Sequence, residues 1–131
     1  MSLVFSCSGS ADVGELADHV GRRMKEDGSG QLVCLALLAA GSKGLVAGAR
    51  AADKVLVLDG CPQDCARKCL EKAGIEDVTH LRITDLGLEK GKSPANEENF
   101  ALVMEEALRR METDPAVETK APMSCGCESS C

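Results

Sequence analysis

Two rhythms of apolar and polar residues alternate along this chain. Short apolar runs, "LVFS" at 3–6 and "KVLVLDG" at 54–60, are separated by longer stretches in which apolar residues recur every three or four positions. The runs predict strands and the stretches predict amphipathic helices. Between 11 and 28, Val13, Leu16, Ala17, Val20 and Met24 share one helical face, and Gly28 and Gly30 close the helix. "QLVCLAL" at 31–37 predicts a second strand, "AAGSKG" a loop, and "LVAGARAAD" at 45–53 a helix of small residues able to pack closely on a sheet. "PQDCARKCLEKAG" at 62–74 predicts a helix with Pro62 in its first turn and Gly74 at its end. "VTHLRITDLG" at 78–87 predicts a fourth strand with polar residues on alternate positions. After the loop "LEKGKSPANE", the spacing of Phe100, Val103, Met104, Ala107, Leu108 and Met111 predicts a last helix.

Strands alternating with helices imply parallel units joined by right-handed crossovers. The expected fold is a three-layer α/β domain, flavodoxin-like or Rossmann-like. Its sheet has four mostly parallel strands in the order 2-1-3-4, with helices on both faces. The continuous apolar runs suit central strands, and the alternation in the fourth suits an edge. This domain is expected to occupy residues 1–112. The remaining "TDPAVETKAPMSCGCESSC", 113–131, has no periodicity and is expected to be a flexible tail carrying Cys125, Cys127 and Cys131.

Charge and composition remove several function classes. A net charge of -6 across 131 residues argues against nucleic acid as a partner, which demands a basic face. With no Trp, no Tyr and two Phe, there is no platform for stacking bases. The longest apolar stretch, "LVCLALLAAG", is too short to span a bilayer, so no membrane role is expected. "MSLVFSCSGSADVGEL" lacks a basic n-region and turns polar at once, which points to a cytoplasmic protein. There, eight cysteines in spaced groups suit metal binding or redox work better than structural staples.

Topology gathers four of those cysteines. Cys7 follows the first strand, Cys34 lies within the second, Cys61 follows the third, and Cys65 is four residues further on. The carboxyl ends of parallel strands share one edge of the sheet, where ligands bind. Cysteine is also a common core residue. Three strand ends plus a CxxxC pattern favour a metal or redox site over four unrelated core positions.

The segments "CSGSADVGELA", "CLA", "VLDGCPQDCARKCLEKAGI" and "ITDLGLEKG" together resemble the DGC-domain proteins, a group of zinc-binding α/β proteins, over about residues 3–92. The resemblance implies one zinc per chain, held by Cys7, Cys34, Cys61 and Cys65. This chain has Asp12 where such proteins often carry Asn, and "LLAAGSKG" where a more glycine-rich loop is usual. The tail lies outside the resemblance.

The row Cys61, Cys65, Cys69 is not one site if it lies on a regular helix. Each four-residue step rises about 6 Å, which puts Cys61 and Cys69 about 12 Å apart along the axis, whereas sulfurs on one zinc sit within about 4 Å of each other. Cys61 and Cys65 can therefore meet one metal, while Cys69, beside the stripe Ala66, Leu70 and Ala73, reads as core filler. Proximity to a helix N-terminus favours the thiolate at Cys61 and Cys65, and similarly at Cys7. Asp59 is expected to cap the helix or orient a ligand, and Gly60 to permit a sharp turn. Ser8, Asp12 and Asp85 are expected to line the crevice, with Lys90 and Lys92 overhanging it. His19 reads as solvated, and His80 as a surface residue of the edge strand.

"GSADVGE" spaces its glycines like a phosphate loop but has Glu15 where such a loop needs Lys. A Cys7 phosphatase-type nucleophile would need a nearby Arg, and Arg22 lies deep in the helix. No acid–base pair stands out, and no protein partner is specified. The expected function is zinc binding, for structure or for metal and thiolate handling, with a metal, thiol or small molecule as the crevice ligand. A thiol–disulfide protein using Cys61 and Cys65, and an iron–sulfur protein, are the alternatives.

Overall fold

The computed structural model describes residues 1–113; the proposed tail thiols Cys125, Cys127 and Cys131 lie outside the described residues. Four strands, β1 (Ser2–Ser6), β2 (Gln31–Leu32), β3 (Lys54–Asp59) and β4 (Thr79–Arg82), pair in parallel in the order β2-β1-β3-β4. The helices are α1 (Asp12–Asp27), α2 (Leu35–Ala39), α3 (Lys43–Ala51), α4 (Cys65–Lys72) and α5 (Glu97–Glu112). The expected strand order and α/β class are therefore those observed.

Period-two alternation splits the core between the two faces of the sheet. Val4, Leu56, Leu58 and Leu81 point to one face, where they pack with Leu16 and Val20 of α1 and Val103 and Ala107 of α5. Leu3, Phe5, Val55 and Val57 point to the other, against Leu38 of α2, Ala49 of α3 and Ala66 and Leu70 of α4. β1 and β3 are buried from both sides, which is why they read as continuous apolar runs. The α1 stripe read from the sequence is wholly buried, and Gly28 closes the helix in the left-handed conformation at φ 80°. No helix among the described residues is long and apolar enough to cross a membrane.

Three boundaries differ most from the sequence pattern, beyond a two-residue shift of α3 towards the N-terminus. β2 stops at Leu32 instead of running to 37. The Val33 amide still bonds to the Val4 carbonyl at 3.0 Å, but Cys34 then N-caps α2, its Sγ accepting from the Leu37 amide at 3.4 Å. An outer strand has a partner on one side only, so the helix-forming run Leu-Ala-Leu-Leu-Ala prevails there.

α4 begins at Cys65, not at Pro62. The chain first makes a tight turn, closed by Asp64 N–H to the Cys61 carbonyl at 3.1 Å, and Asp64 takes the left-handed conformation at φ 51°. Cys61 is thus off the helix, and the helical spacing argument does not apply to the Cys61–Cys65 pair. Cys69, half-buried one turn into α4 from Cys65, is likewise no longer separated from Cys61 by helical rise; its place beside the buried Ala66 and Leu70 is what marks it as a packing residue. The fourth strand also ends early, at Arg82, where a 3-10 turn over Ile83–Leu86 takes over.

Candidate functional site at the carboxyl edge of the sheet

Parallel pairing fixes what lies at the crevice. The Cys7 amide continues the ladder one step past β1, donating to the Leu58 carbonyl at 2.8 Å, so Cys7 emerges beside the end of β3. Gly60 and Cys61 follow β3, and Cys65 is the first residue of α4. Cys7 and Cys61 are half-buried, packed against opposite core clusters, while Cys34 and Cys65 are exposed. All four, and Cys69, are free thiols.

The structure brings Cys7 and Cys65 near each other. Burial raises the Cys7 pKa above the ordinary thiol value, and the negative charges of Asp59 and Cys65 add to that rise. Backbone N–H groups of Gly9 and Gly60 act in the opposite direction but do not overcome it. This corrects the expectation that Cys7 gains thiolate character as a helix-N-terminal residue does: desolvation outweighs the donors. The four sulfurs do not form a closed cage. Among the described residues, the group whose ligand atoms all lie within 4.8 Å of one another is Asp59, Asp64 and His80.

That group forms a charge network beneath the thiols. Asp59, 1% exposed, accepts from the Ala66 amide at 2.8 Å and the Arg67 amide at 3.1 Å, which ties the first turn of α4 to the end of β3. His80 Nε2 reaches the same carboxylate at 2.9 Å. Asp64 accepts from Arg82 Nε at 2.8 Å and from its Nη2 at 2.6 Å, a two-bond clasp. Arg82 holds the Asp64 pKa below the usual carboxylate range, and Asp64 in turn raises that of Arg82. A cation placed among Asp59, Asp64 and His80 would have to displace Arg82, so hydrogen bonding is the better account of the cluster.

His80 is therefore not the surface residue expected of an edge strand; its side chain is 14% exposed. The sequence pattern reads His80 as a surface residue and does not single out Asp64 or Arg82. The signal was the alternation in "THLR", which places His80 and Arg82 on one face of β4 while Thr79 and Leu81 are buried. Register then sets Arg82 beside Asp59.

The remaining candidates are placed as follows. Asp59 caps α4 as expected. Gly60 does not adopt positive φ. A Cβ there would lie 2.8 Å from the Gly14 nitrogen and 2.8 Å from the Val13 carbonyl carbon, so close approach to α1 is what requires glycine. Ser8 is exposed and its Oγ donates to Asp18 on α1 at 2.9 Å. Asp85 faces Arg82 Nη1 at 3.4 Å. Lys92 pairs with Glu89 at 3.6 Å, Lys90 is exposed, and His19 lies 3.7 Å from Glu15 on the outer face of α1.

Asp12 has a different task from lining a pocket. Its Oδ1 accepts from Val13 N–H at 2.7 Å and Gly91 N–H at 2.9 Å, and its Oδ2 from Ser93 N–H at 3.0 Å. One carboxylate thus fastens the 89–93 loop to the start of α1. The Gly91 amide is the leading cause of the lowered Asp12 pKa. A depressed carboxylate pKa means the clasp is fully present above the unfolded value, about 3.9, and is lost as pH falls through the folded one. Asp12→Ala is expected to lower the hydrogen-exchange protection factors of Gly91 and Ser93 at neutral pH, and lowering the pH of the wild type through the acid range should lower the same protection factors relative to the intrinsic rate at each pH.

Comparison with known proteins gives a consistent picture. The model of the DGC domain family matches residues 3–107. The "Anaerobic and virulence modulator AnvM" of Pseudomonas aeruginosa is 32% identical over 90 residues, covering 69% of this chain and 69% of its own. No solved structure matches.

Proposed function

The chain belongs to the DGC domain family, and we propose that it binds one zinc ion through Cys7, Cys34, Cys61 and Cys65, using it for metal or thiolate handling rather than for folding. The observation that carries this reading is the 2.8 Å ladder bond from the Cys7 amide to the Leu58 carbonyl, which sets Cys7 beside the end of β3, where the chain leads on through Cys61 to Cys65. Cys61 lies on the turn between β3 and α4, and Cys34 caps α2, which packs against α4. Thiolates are soft donors suited to zinc. The exposed thiols of Cys34 and Cys65 retain side-chain freedom with which to close on a metal.

A structural role is the weaker assignment. Two hydrophobic clusters, one on each face of the sheet, already hold the domain together without a metal. Zinc finger domains, by contrast, depend on zinc because they lack such a core. A metal–thiolate centre also suits a protein whose relative is named an "Anaerobic and virulence modulator", since thiolates respond to oxidants.

The test is metal analysis by mass spectrometry and visible absorption on protein purified without oxygen. About one zinc per chain is expected. It should be lost in Cys61→Ser and in Cys65→Ser, but kept in Cys69→Ser and after removal of residues 114–131. Metal-free protein should keep its far-UV circular dichroism. A metal-free wild type with a reversible disulfide would overturn the proposal in favour of thiol redox work, and visible charge-transfer bands would do so in favour of an iron–sulfur centre.

A further inference from the structure

Cys65 is exposed, yet the backbone on either side of it is fastened to the sheet. Asp64, before it, is clasped by Arg82 of β4 through bonds of 2.8 and 2.6 Å. Ala66 and Arg67, after it, donate their amides to Asp59 at the end of β3. The backbone atoms of Asp64 also close the preceding turn and open the helix: its N–H bonds the Cys61 carbonyl at 3.1 Å, and its carbonyl accepts from Lys68 N–H at 2.9 Å.

The clasp holds Asp64 in the left-handed conformation, which most side chains disfavour. It is the single non-glycine residue at positive φ among the described residues. Asp visits this region more readily than most residues, and the conformation persists where the surroundings over-determine it. Here it sits one residue before a thiol that approaches Cys7. A relaxed Asp64 would redirect the first turn of α4 and move that thiol.

We infer that Arg82 is a positioning residue for the thiol site: acting through Asp64, it holds Cys65 where its sulfur can share a soft thiophilic ligand with Cys7. The inference rests on the proposed site for its biological meaning, but the placement of the two sulfurs is testable without zinc. Arg82 touches no thiol in this account. Asp59, pinning the other side of Cys65, leaves the Arg82–Asp64 clasp as the adjustable half of the support, because Asp59 is buried and Arg82 reaches the surface.

The experiment measures two binding constants on the full chain. One is for zinc. The other is for phenylarsine oxide, which bridges two neighbouring thiols, on reduced, metal-free protein, with the bridged residues mapped by mass spectrometry. Arg82→Ala and Asp64→Ala are each expected to weaken zinc binding by about 10–100-fold, the usual size for outer-shell partners, and to reduce arsenical bridging of Cys7 to Cys65 by a similar factor. Asp64→Asn should retain most of both, because asparagine tolerates the left-handed conformation and its side-chain oxygen still accepts from Arg82. Asp64→Gly keeps the backbone without strain and removes only the clasp, so it answers the question if Arg82→Ala fails to fold. Glu71→Ala, which breaks an exposed pair with Arg67 on α4, should leave both constants unchanged. Wild-type arsenical bridging in Arg82→Ala would overturn the inference. Absence of zinc from wild type, with bridging still dependent on Arg82, would instead overturn the zinc reading and leave the positioning role standing.

Discussion

Asp59→Ala is expected to be among the most destabilising single substitutions in this protein, costing about 2–6 kcal/mol, because two backbone amides lose their acceptor at about 1–3 kcal/mol each. Two backbone amides of α4 and the His80 ring converge on this carboxylate. Asp59 is 1% exposed, so water does not readily replace what is lost. Each buried donor left without an acceptor costs about 1–3 kcal/mol. Asp59→Asn keeps one acceptor oxygen for Ala66 and should lose less. Thermal unfolding followed by circular dichroism decides this: the midpoint of Asp59→Ala should fall by about 15 °C, given about 4 °C per kcal/mol for a domain of this size. A fall under about 4 °C, equivalent to about 1 kcal/mol, would show that the α4 terminus and His80 find other partners. Zinc binding should fail in the same variant, because the helix that presents Cys65 would no longer be tied to β3.

The contrast between Asp59 and His80 shows what the sequence discloses. The layered fold was legible because burial leaves a periodic trace: period two in β1 and β3, and the Val13, Leu16, Val20 stripe in α1. Strand order followed from chain connectivity and the preference for short, right-handed crossovers. Cys7 and Cys61 were legible because each follows a strand, and strand ends in a parallel sheet meet. The position of Cys34 was only half legible. That it lies close after the start of β2 was foreseeable, but whether "LVCLAL" continued as strand or turned into helix depended on an outer edge that no local pattern encodes. The network of His80, Asp64 and Arg82 was hidden for another reason. Its members come from two elements, and register alone brings Arg82 beside Asp59. Polar alternation in β4 looks the same whether the polar residues face solvent or a helix terminus.

Gly60→Ala should produce the second large effect, by a mechanism distinct from turn geometry. The added Cβ would fall 2.8 Å from both the Gly14 nitrogen and the Val13 carbonyl carbon, and 2.9 Å from the Val13 oxygen. All three are backbone atoms at the start of α1, whose Val13, Leu16 and Ala17 are fully buried, so they have no rotamer to yield. Gly14 offers no relief, since a Cβ there would itself lie 2.9 Å from the Gly9 oxygen. The two glycines let the β3–α4 turn, the first turn of α1 and the loop after β1 close on one another, and Cys7, Gly9 and Cys61 lie on those segments. Overpacking of this kind costs about 1–3 kcal/mol, which corresponds to a midpoint lowered by about 4–12 °C. The functional loss should exceed what the stability loss implies. To make room, α1 and the turn must separate, and that displaces the Gly60 amide from Cys7 and Cys61 from the crevice. Zinc affinity measured well below the unfolding midpoint should therefore drop in folded Gly60→Ala. Unchanged affinity in a merely less stable protein would show that the thiols do not depend on this close approach.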